Sequence, residues 1–272
     1  MDSVNLHYGR PGLLARVDAT LRSLGKDPLQ LTPDDLAPLD QFHIGGKMAT
    51  LAIAKASGIQ PGDKVLDVGG GLGGPARMLA RETGCRVTVL DLTQEFCEVG
   101  RELTARCGLH EKVDFVQGDA LAMPFESSSF DVIWSQHSSM NIPGKPKLYS
   151  EIARVLKPGG KYVMHEVFAG SKQPVLYPAP WAARQDYSFM IPSEESRSLL
   201  ASAGLHEIQW QDTTETGAEW FLARLRAQQA TDANFLGINL ILGEIFQPAF
   251  GNMLKNLQEG RTRIVEAVLV KD

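Results

Sequence analysis

Between Val65 and Gly74 the chain reads Val-Leu-Asp-Val-Gly-Gly-Gly-Leu-Gly-Gly, so glycine fills five of the last six positions. Glycine is needed where the backbone takes a positive φ or must lie against a ligand with no Cβ in the way. A surface turn does not explain that density behind a short apolar run, and the loop points to a nucleotide-type ligand. Gly69, Gly71 and Gly74 fit the dinucleotide pattern G-x-G-x-x-G, with Asp91 22 residues beyond Gly69. Gly69, Gly71 and Gly73 equally fit D-x-G-x-G-x-G, in which the acid is Asp67. A carboxylate there would repel a pyrophosphate but suits a ligand that carries an ammonium group. Two further acids can recognise a nucleoside. Asp91 ends the run Val87–Leu90 and can accept from both ribose hydroxyls, although an acid is also common at a helix N-terminus. Asp119, in Gly118-Asp119-Ala120, can accept from an exocyclic amine, although Gly-Asp turns are frequent.

The elements that must hold these residues are short apolar runs alternating with amphipathic helices. Strands are predicted at Lys64–Val68, Arg86–Leu90, Val113–Gln117, Phe130–Trp134 and Lys161–Glu166, with helices near Pro75–Glu82, Gln94–Cys107 and Lys147–Leu156. Apolar runs of four to six residues separated by helices indicate a parallel sheet covered on both faces, a doubly wound α/β arrangement. Residues 1–60 form a helical cover. In it Leu13, Val17 and Leu21 share one face, Thr32-Pro33-Asp34-Asp35 opens a second helix with Thr32 as N-cap, and a third runs from Lys47 to Ser57. Residues 61–169 are the cofactor-binding core. Residues 170–272 begin with a lid insertion at 170–192 that contains four prolines. They continue with a helix Ser193–Ala203, a strand His206–Asp212, helices Ala218–Gln229 and Asp232–Leu257, and a last strand Thr262–Val270. The whole is read as a single Rossmann-like domain.

Composition bounds the rest. With 27 Lys and Arg against 32 Asp and Glu, the net charge is −5 and no basic block occurs, which argues against nucleic acid as a partner. No charged and apolar leader or membrane-length apolar run is evident, and three cysteines cannot form a disulfide framework, so a cytoplasmic protein is expected. Cys97 and Cys107 are ten apart on one predicted helix and do not share a face, and no His/Cys group has metal spacing; no metal is expected.

The loop with Asp67, then Asp91, Asp119-Ala120 and the turn Arg154-Val155-Leu156-Lys157-Pro158-Gly159-Gly160-Lys161, resemble class I S-adenosylmethionine (AdoMet) methyltransferases in order and spacing over residues 64–167. The resemblance implies a seven-stranded sheet whose last strand is antiparallel. It implies AdoMet as cofactor, with Asp67, Gly69, Gly71 and Gly73 near its methionine part, Asp91 on the ribose, Leu92 on the adenine face, Asp119 and Ala120 flanking adenine, and Gln136 a cofactor or loop partner. No Asn/Asp-Pro-Pro-aromatic motif follows the fourth strand, unlike enzymes that methylate base amines. The stretches Asp40–Gly46, Gln136-His137 with Met140-Asn141, and Pro178–Ala182 look like small-molecule methyltransferases, loosely the sarcosine/dimethylglycine N-methyltransferases.

A methyl on sulfonium is already activated, so positioning and desolvation dominate, with a base where the acceptor must lose a proton. His137 is the first candidate for that base, against a loop-ordering role. Glu166 is expected to face the substrate from its strand end and His165 the opposite face. Tyr8 and His43 are candidate cleft residues from the cover. Tyr177, Trp181, Tyr187 and Phe189, with Arg184 among them, suit an N-methylated amino acid through cation–π and carboxylate contacts; a satellite core under the lid is the preferred account. The expected reaction is methyl transfer to a small molecule, nitrogen slightly ahead of oxygen or carbon. The alternatives are an NAD(P)-linked oxidoreductase, or an AdoMet-binding protein without catalysis. Homo-oligomerisation is left open.

Overall fold

A computed structural model describes Tyr8 and residues 11–229 and 236–272. In the cover, α1 (Leu13–Ser23) buries Leu13, Val17 and Leu21. Each such burial contributes about 1.5–3 kcal/mol, enough to fix the helix onto its neighbours. The helix α2 (Pro33–Asp40) starts on a reciprocal cap: the Asp35 N–H donates to Thr32 Oγ1 at 3.3 Å and the Thr32 N–H to Asp35 Oδ2 at 2.9 Å. It is followed by α3 (Gly46–Ser57).

The sheet is built from β1 (Lys64–Val68), β2 (Arg86–Asp91), β3 (Val113–Gln117), β4 (Phe130–Gln136), β5 (Leu156–Ala169), β6 (Leu205–Asp212) and β7 (Thr262–Lys271). Between them lie α4 (Gly74–Thr83), α5 (Gln94–Arg106), α6 (Lys145–Val155), α7 (Ser193–Ser202), α8 (Thr214–Gln229), the short α9 (Asn239–Leu242) and α10 (Phe246–Gln258). The order is β3-β2-β1-β4-β5-β7-β6, with β7 antiparallel to both its neighbours. This is a Rossmann-like doubly wound sheet. The apolar run Thr262–Val270 goes inside the sheet because both its faces are covered.

Side-chain alternation divides the core. Leu66, Ile133, Met164 and Phe168 pack with α6 and α7 on one face, while Val65, Val87, Trp134 and Val163 pack with α3, α4 and α5 on the other. A further cluster joins the lid to α8 and α10 through Trp181, Phe221, Phe250 and Met253. That satellite core is where the lid aromatics Trp181, Tyr177 and Tyr187 are found.

Three expectations are corrected. The helix predicted at Asp232–Leu257 lies outside the described residues up to 235. Beyond, it is broken into α9, a 3-10 turn at Gly243–Ile245 and α10, with Gly243 at a φ of +56°. β5 extends back to Leu156, so the segment expected as a plain turn joins the sheet with a register irregularity opposite Phe130 and Val132. α8 starts at Thr214, not Ala218.

Candidate active site

The C-terminal ends of β1, β2 and β4 open onto a cavity of about 360 Å³, the place where open α/β sheets hold ligands. Asp67, Gly69, Gly71, Asp91, Leu92, Asp119, Ala120, Gln136 and His137 all line it. The loop after β1 is held open by backbone conformation. Gly69 and Gly71 take φ of +71° and +55°, and a Cβ on Gly69 would lie 2.5 Å from that of Ser138. Asp91 fixes the loop from β2: its Oδ2 accepts from the Gly71 N–H at 2.9 Å and its Oδ1 from the Thr93 N–H at 2.8 Å.

Two acids are thus buried on one cavity with no cation beside them among the described residues. Burial, with Asp91 and Glu166 nearby, pushes the Asp67 carboxyl up to about 8. Its Oδ2 is buried without a hydrogen-bond partner. Burial also raises Asp91, against the lowering pull of its two backbone donors. Unpaired buried carboxyls are costly, and they suit a ligand that brings positive charge and donors.

Gly73 does not line the cavity. It sits at the N-cap of α4 with a φ of +77°, where a Cβ would come within 2.6 Å of Phe115 Cζ, so its place is set by packing. Glu166 is likewise corrected. It is buried on the α6 side of the sheet, where its Oε2 accepts from the backbone N–H of Ser138 and of Ser139, each at 3.1 Å, and from Ser139 Oγ at 2.9 Å. It fastens the loop after β4 and does not face the cavity. His165 is the residue that turns toward the cleft side, because Gln136 and His165 are register partners on the face that carries Trp134.

His137 takes a φ of +50°, which few non-glycine residues adopt, and its N–H donates to the His165 carbonyl at 2.8 Å. The ring lies between the first cavity and a second of about 40 Å³, both of which it lines with Tyr8, Phe42 and His43. Met140, Trp181, Trp220, Phe221, Phe250 and Met253 also line the second cavity, and among the described residues no Asp, Glu, Lys or Arg does. Arg184 stays outside: its side chain is 63% exposed, pairs with Asp186 at 3.6 Å and stacks over Tyr187. It does not offer a carboxylate grip to either cavity, in keeping with the preferred satellite-core account, whereas Phe189 does reach the first cavity.

Several contributors were not foreseen. Thr50 Oγ1 lies 3.1 Å from Gln136 Oε1, 3.0 Å from Gln41 Oε1 and 3.0 Å from His43 Nε2, which ties the cover to the end of β4. Lys145, lowered to about 8 by burial, donates to the carbonyls of Ser139 at 2.8 Å, Ile142 at 2.5 Å and Phe189 at 2.8 Å. It staples the lid to the loop after β4. A buried lysine leaves no periodic signature in a sequence, so only its neighbours in space show this. Among the described residues no group of three or more His, Cys, Asp or Glu side chains could hold a metal ion, and no helix is long and apolar enough to cross a membrane.

Residues 66–164 match the family described as "Methyltransferase domain". The matched residues run from β1 to β5, and over them the chain is similar to that family. A sterol 24-C-methyltransferase of Gibberella zeae is 45% identical over 116 residues, 42% of this chain and 30% of that protein. A glycine/sarcosine/dimethylglycine N-methyltransferase of Actinopolyspora halophila is 32% identical over 178 residues, 65% of this chain and 32% of that one. These matches span about a third of the relatives' own length. The crystal structure of geranyl diphosphate C-methyltransferase from Streptomyces coelicolor, in complex with Mg2+, geranyl-S-thiolodiphosphate and S-adenosyl-L-homocysteine, superposes with a TM-score of 0.69. It is 19% identical and covers 100% of this chain and 97% of its own, which shows a common fold.

Proposed function

We propose that the chain is an AdoMet-dependent methyltransferase that alkylates a carbon or oxygen nucleophile on an apolar small molecule. The observation that carries this reading is the pairing of two cavities across His137, one walled by glycines and unpaired acids, the other by aromatic and aliphatic side chains. Asp67, Gly69 and Gly71 would hold the methionine part, Asp91 the ribose, and Leu92, Asp119 and Ala120 the adenine. AdoMet supplies a methyl group on a cationic sulfur that is already a good leaving group. The protein's work is then to exclude water, to hold the acceptor in line and to receive any proton it gives up. His137 would do the last, because its ring lines both cavities; burial, with His165 and His43 beside it, keeps that ring neutral and lets it hold a proton only briefly. The sterol relatives, and the lack of an Asp, Glu, Lys or Arg among the described residues of the second cavity, favour carbon or oxygen over nitrogen as acceptor. The free thiols Cys85, Cys97 and Cys107 support a reducing, cytoplasmic setting.

Asp67 opposes the NAD(P) reading, since phosphates resist the ionisation of a buried acid that a cationic ligand favours. Calorimetric titration with AdoMet, S-adenosylhomocysteine, NAD and NADP tests the cofactor. Transfer of radiolabelled methyl to a panel of apolar alcohols, phenols and alkenes tests the reaction, with Trp220→Ala expected to raise the acceptor KM several-fold while leaving AdoMet affinity alone. Binding of a nicotinamide dinucleotide in place of AdoMet would overturn the assignment. AdoMet binding with no methyl transfer to any acceptor would leave a binding protein.

A further inference from the structure

Behind His137 lies a group of side chains that cofactor binding does not use. His43, between α2 and α3, His137, after β4, and His165, on β5, pack edge to face with ring centroids 6.2, 5.9 and 4.8 Å apart. His43 is committed, its Nε2 lying 3.0 Å from both the Gly46 carbonyl and Thr50 Oγ1. The other two are not: His137 Nε2 and His165 Nδ1 are sealed from solvent without a hydrogen-bond partner. Buried polar atoms are nearly always paired, so two spare nitrogens on adjoining rings call for a role. The second nitrogen of His165, Nε2, lies 3.9 Å from Glu266 Oε1 on the register-paired position of β7. Only 3% of the His165 side chain is exposed, but 23% of the Glu266 side chain reaches solvent. A line of titratable groups therefore runs from the cleft, across two strands, to water.

We propose that His137, His165 and Glu266 form a proton outlet, and hence that the acceptor is one that loses a proton, a hydroxyl or a carbon acid and not a tertiary amine. This rests on the methyltransferase reading above. As the bond from the acceptor atom to methyl carbon forms, the carbon–sulfur bond breaks with its electron pair left on sulfur. The acceptor's proton, leaving its bonding pair behind, goes to a ring nitrogen of His137. With ring centroids 4.8 Å apart, a side-chain rotation would bring facing nitrogens to hydrogen-bond distance; His165 then takes the proton on Nδ1 and, as Nε2 closes its 3.9 Å separation from Glu266, gives up the Nε2 proton to that carboxylate. Burial keeps both rings from storing it: His137 is held well below the usual imidazole range and His165 is pulled down to about 3, with His43 adding to the effect on each. The ionisable groups against this line are His43 from the cover, Glu266 from β7 and Tyr8, which lines the same cavities as His137. His165 and Glu266 act through His137 and touch no reacting atom.

The test uses the full-length protein with AdoMet and an acceptor that it methylates. Glu266→Gln keeps the shape and removes the base; kcat at neutral pH should fall about tenfold with acceptor KM and AdoMet affinity unchanged. Glu266→Asp, or added formate or imidazole buffer, should restore part of the rate. A readout independent of activity is the tautomer of His165, read from ring-nitrogen shifts in histidine-labelled protein: Glu266→Leu should move it and leave exposed His110 and His206 as they were. An unchanged kcat in Glu266→Gln together with an unmoved His165 tautomer overturns the outlet. A wild-type protein that methylates nothing overturns the methyltransferase reading instead, and the tautomer still reports whether His165 and Glu266 are coupled.

Discussion

Binding of AdoMet should expel a proton from Asp67, and the size of the effect follows from its surroundings. Without ligand the carboxyl is buried and pushed up to about 8 from an ordinary 3.8, so at pH 7 it is mostly protonated. A ligand with a sulfonium and an ammonium group favours the ionised form. Returning the carboxyl to its ordinary range represents cation–carboxylate attraction on the order of 5 kcal/mol. Binding at pH 7 should thus release about one proton, and Kd should fall by up to about tenfold per pH unit between roughly pH 5 and 7. Above that the ligand's own α-amino group, ordinarily near about 7.7–8.0, loses its charge and the gain levels off. Titration calorimetry at pH 7 in two buffers of different ionisation enthalpy counts the protons, and Asp67→Asn should abolish both the release and the pH slope. Linkage adds a second check. Because the folded value is raised, the unliganded protein loses stability as pH rises from about 4 to about 8 and no further; Asp67→Asn should therefore be more stable than wild type at pH 7 by a few kcal/mol, on the order of what the shift implies. A binding enthalpy that is the same in both buffers would refute the reasoning.

Three other perturbations address the neighbouring structure. Asp91→Ala removes the acceptor for two backbone N–H groups and the expected ribose contacts; AdoMet affinity should drop by about 1.5–3 kcal/mol, or about ten- to 150-fold, by calorimetry. An unchanged affinity would end the ribose assignment. Gly73→Ala puts a Cβ at positive φ and 2.6 Å from Phe115, and should cost about 2–4 kcal/mol, seen as a melting-temperature fall of several degrees. Arg77→Ala leaves the buried Asp40 carboxylate, its ion-pair partner across the cover, without a cation; denaturant unfolding should show a loss of about 3–5 kcal/mol, and a loss under 1 kcal/mol would mean that solvent reaches the pair.

Much of the cofactor side was legible because it is local. Asp67, Gly69 and Gly71 stand on one strand and its following turn, so their spacing alone implies a shared cavity wall, and Asp91 and Asp119 mark the ends of the next two strands. Alternation also stated correctly that His165 and Glu166 point to opposite faces. It was silent on which face carries the acceptor side, and the expectation chose the wrong one: Glu166 anchors Ser138 and Ser139, while His165 joins His137 and His43. That choice is made by where the lid, α8 and α10 pack, some tens of residues further along the chain. Gly73 fits the loop pattern as well as Gly71 does, yet the start of α4 turns it toward Phe115.

The sequence by itself determined the strands and helices of the core, the glycine loop and the acids around it, because each depends on periodicity, turn chemistry and neighbours within a few residues. Only the tertiary structure decided that Arg184 remains outside, that the second cavity is apolar, and that Lys145 staples the lid to the loop after β4. It alone brought His43, His137, His165 and Glu266 into one line. The physical reason is that burial, with the proton affinities it imposes, is set by which distant surfaces meet, and four residues spread from position 43 to position 266 carry no record of that meeting in their own spacing.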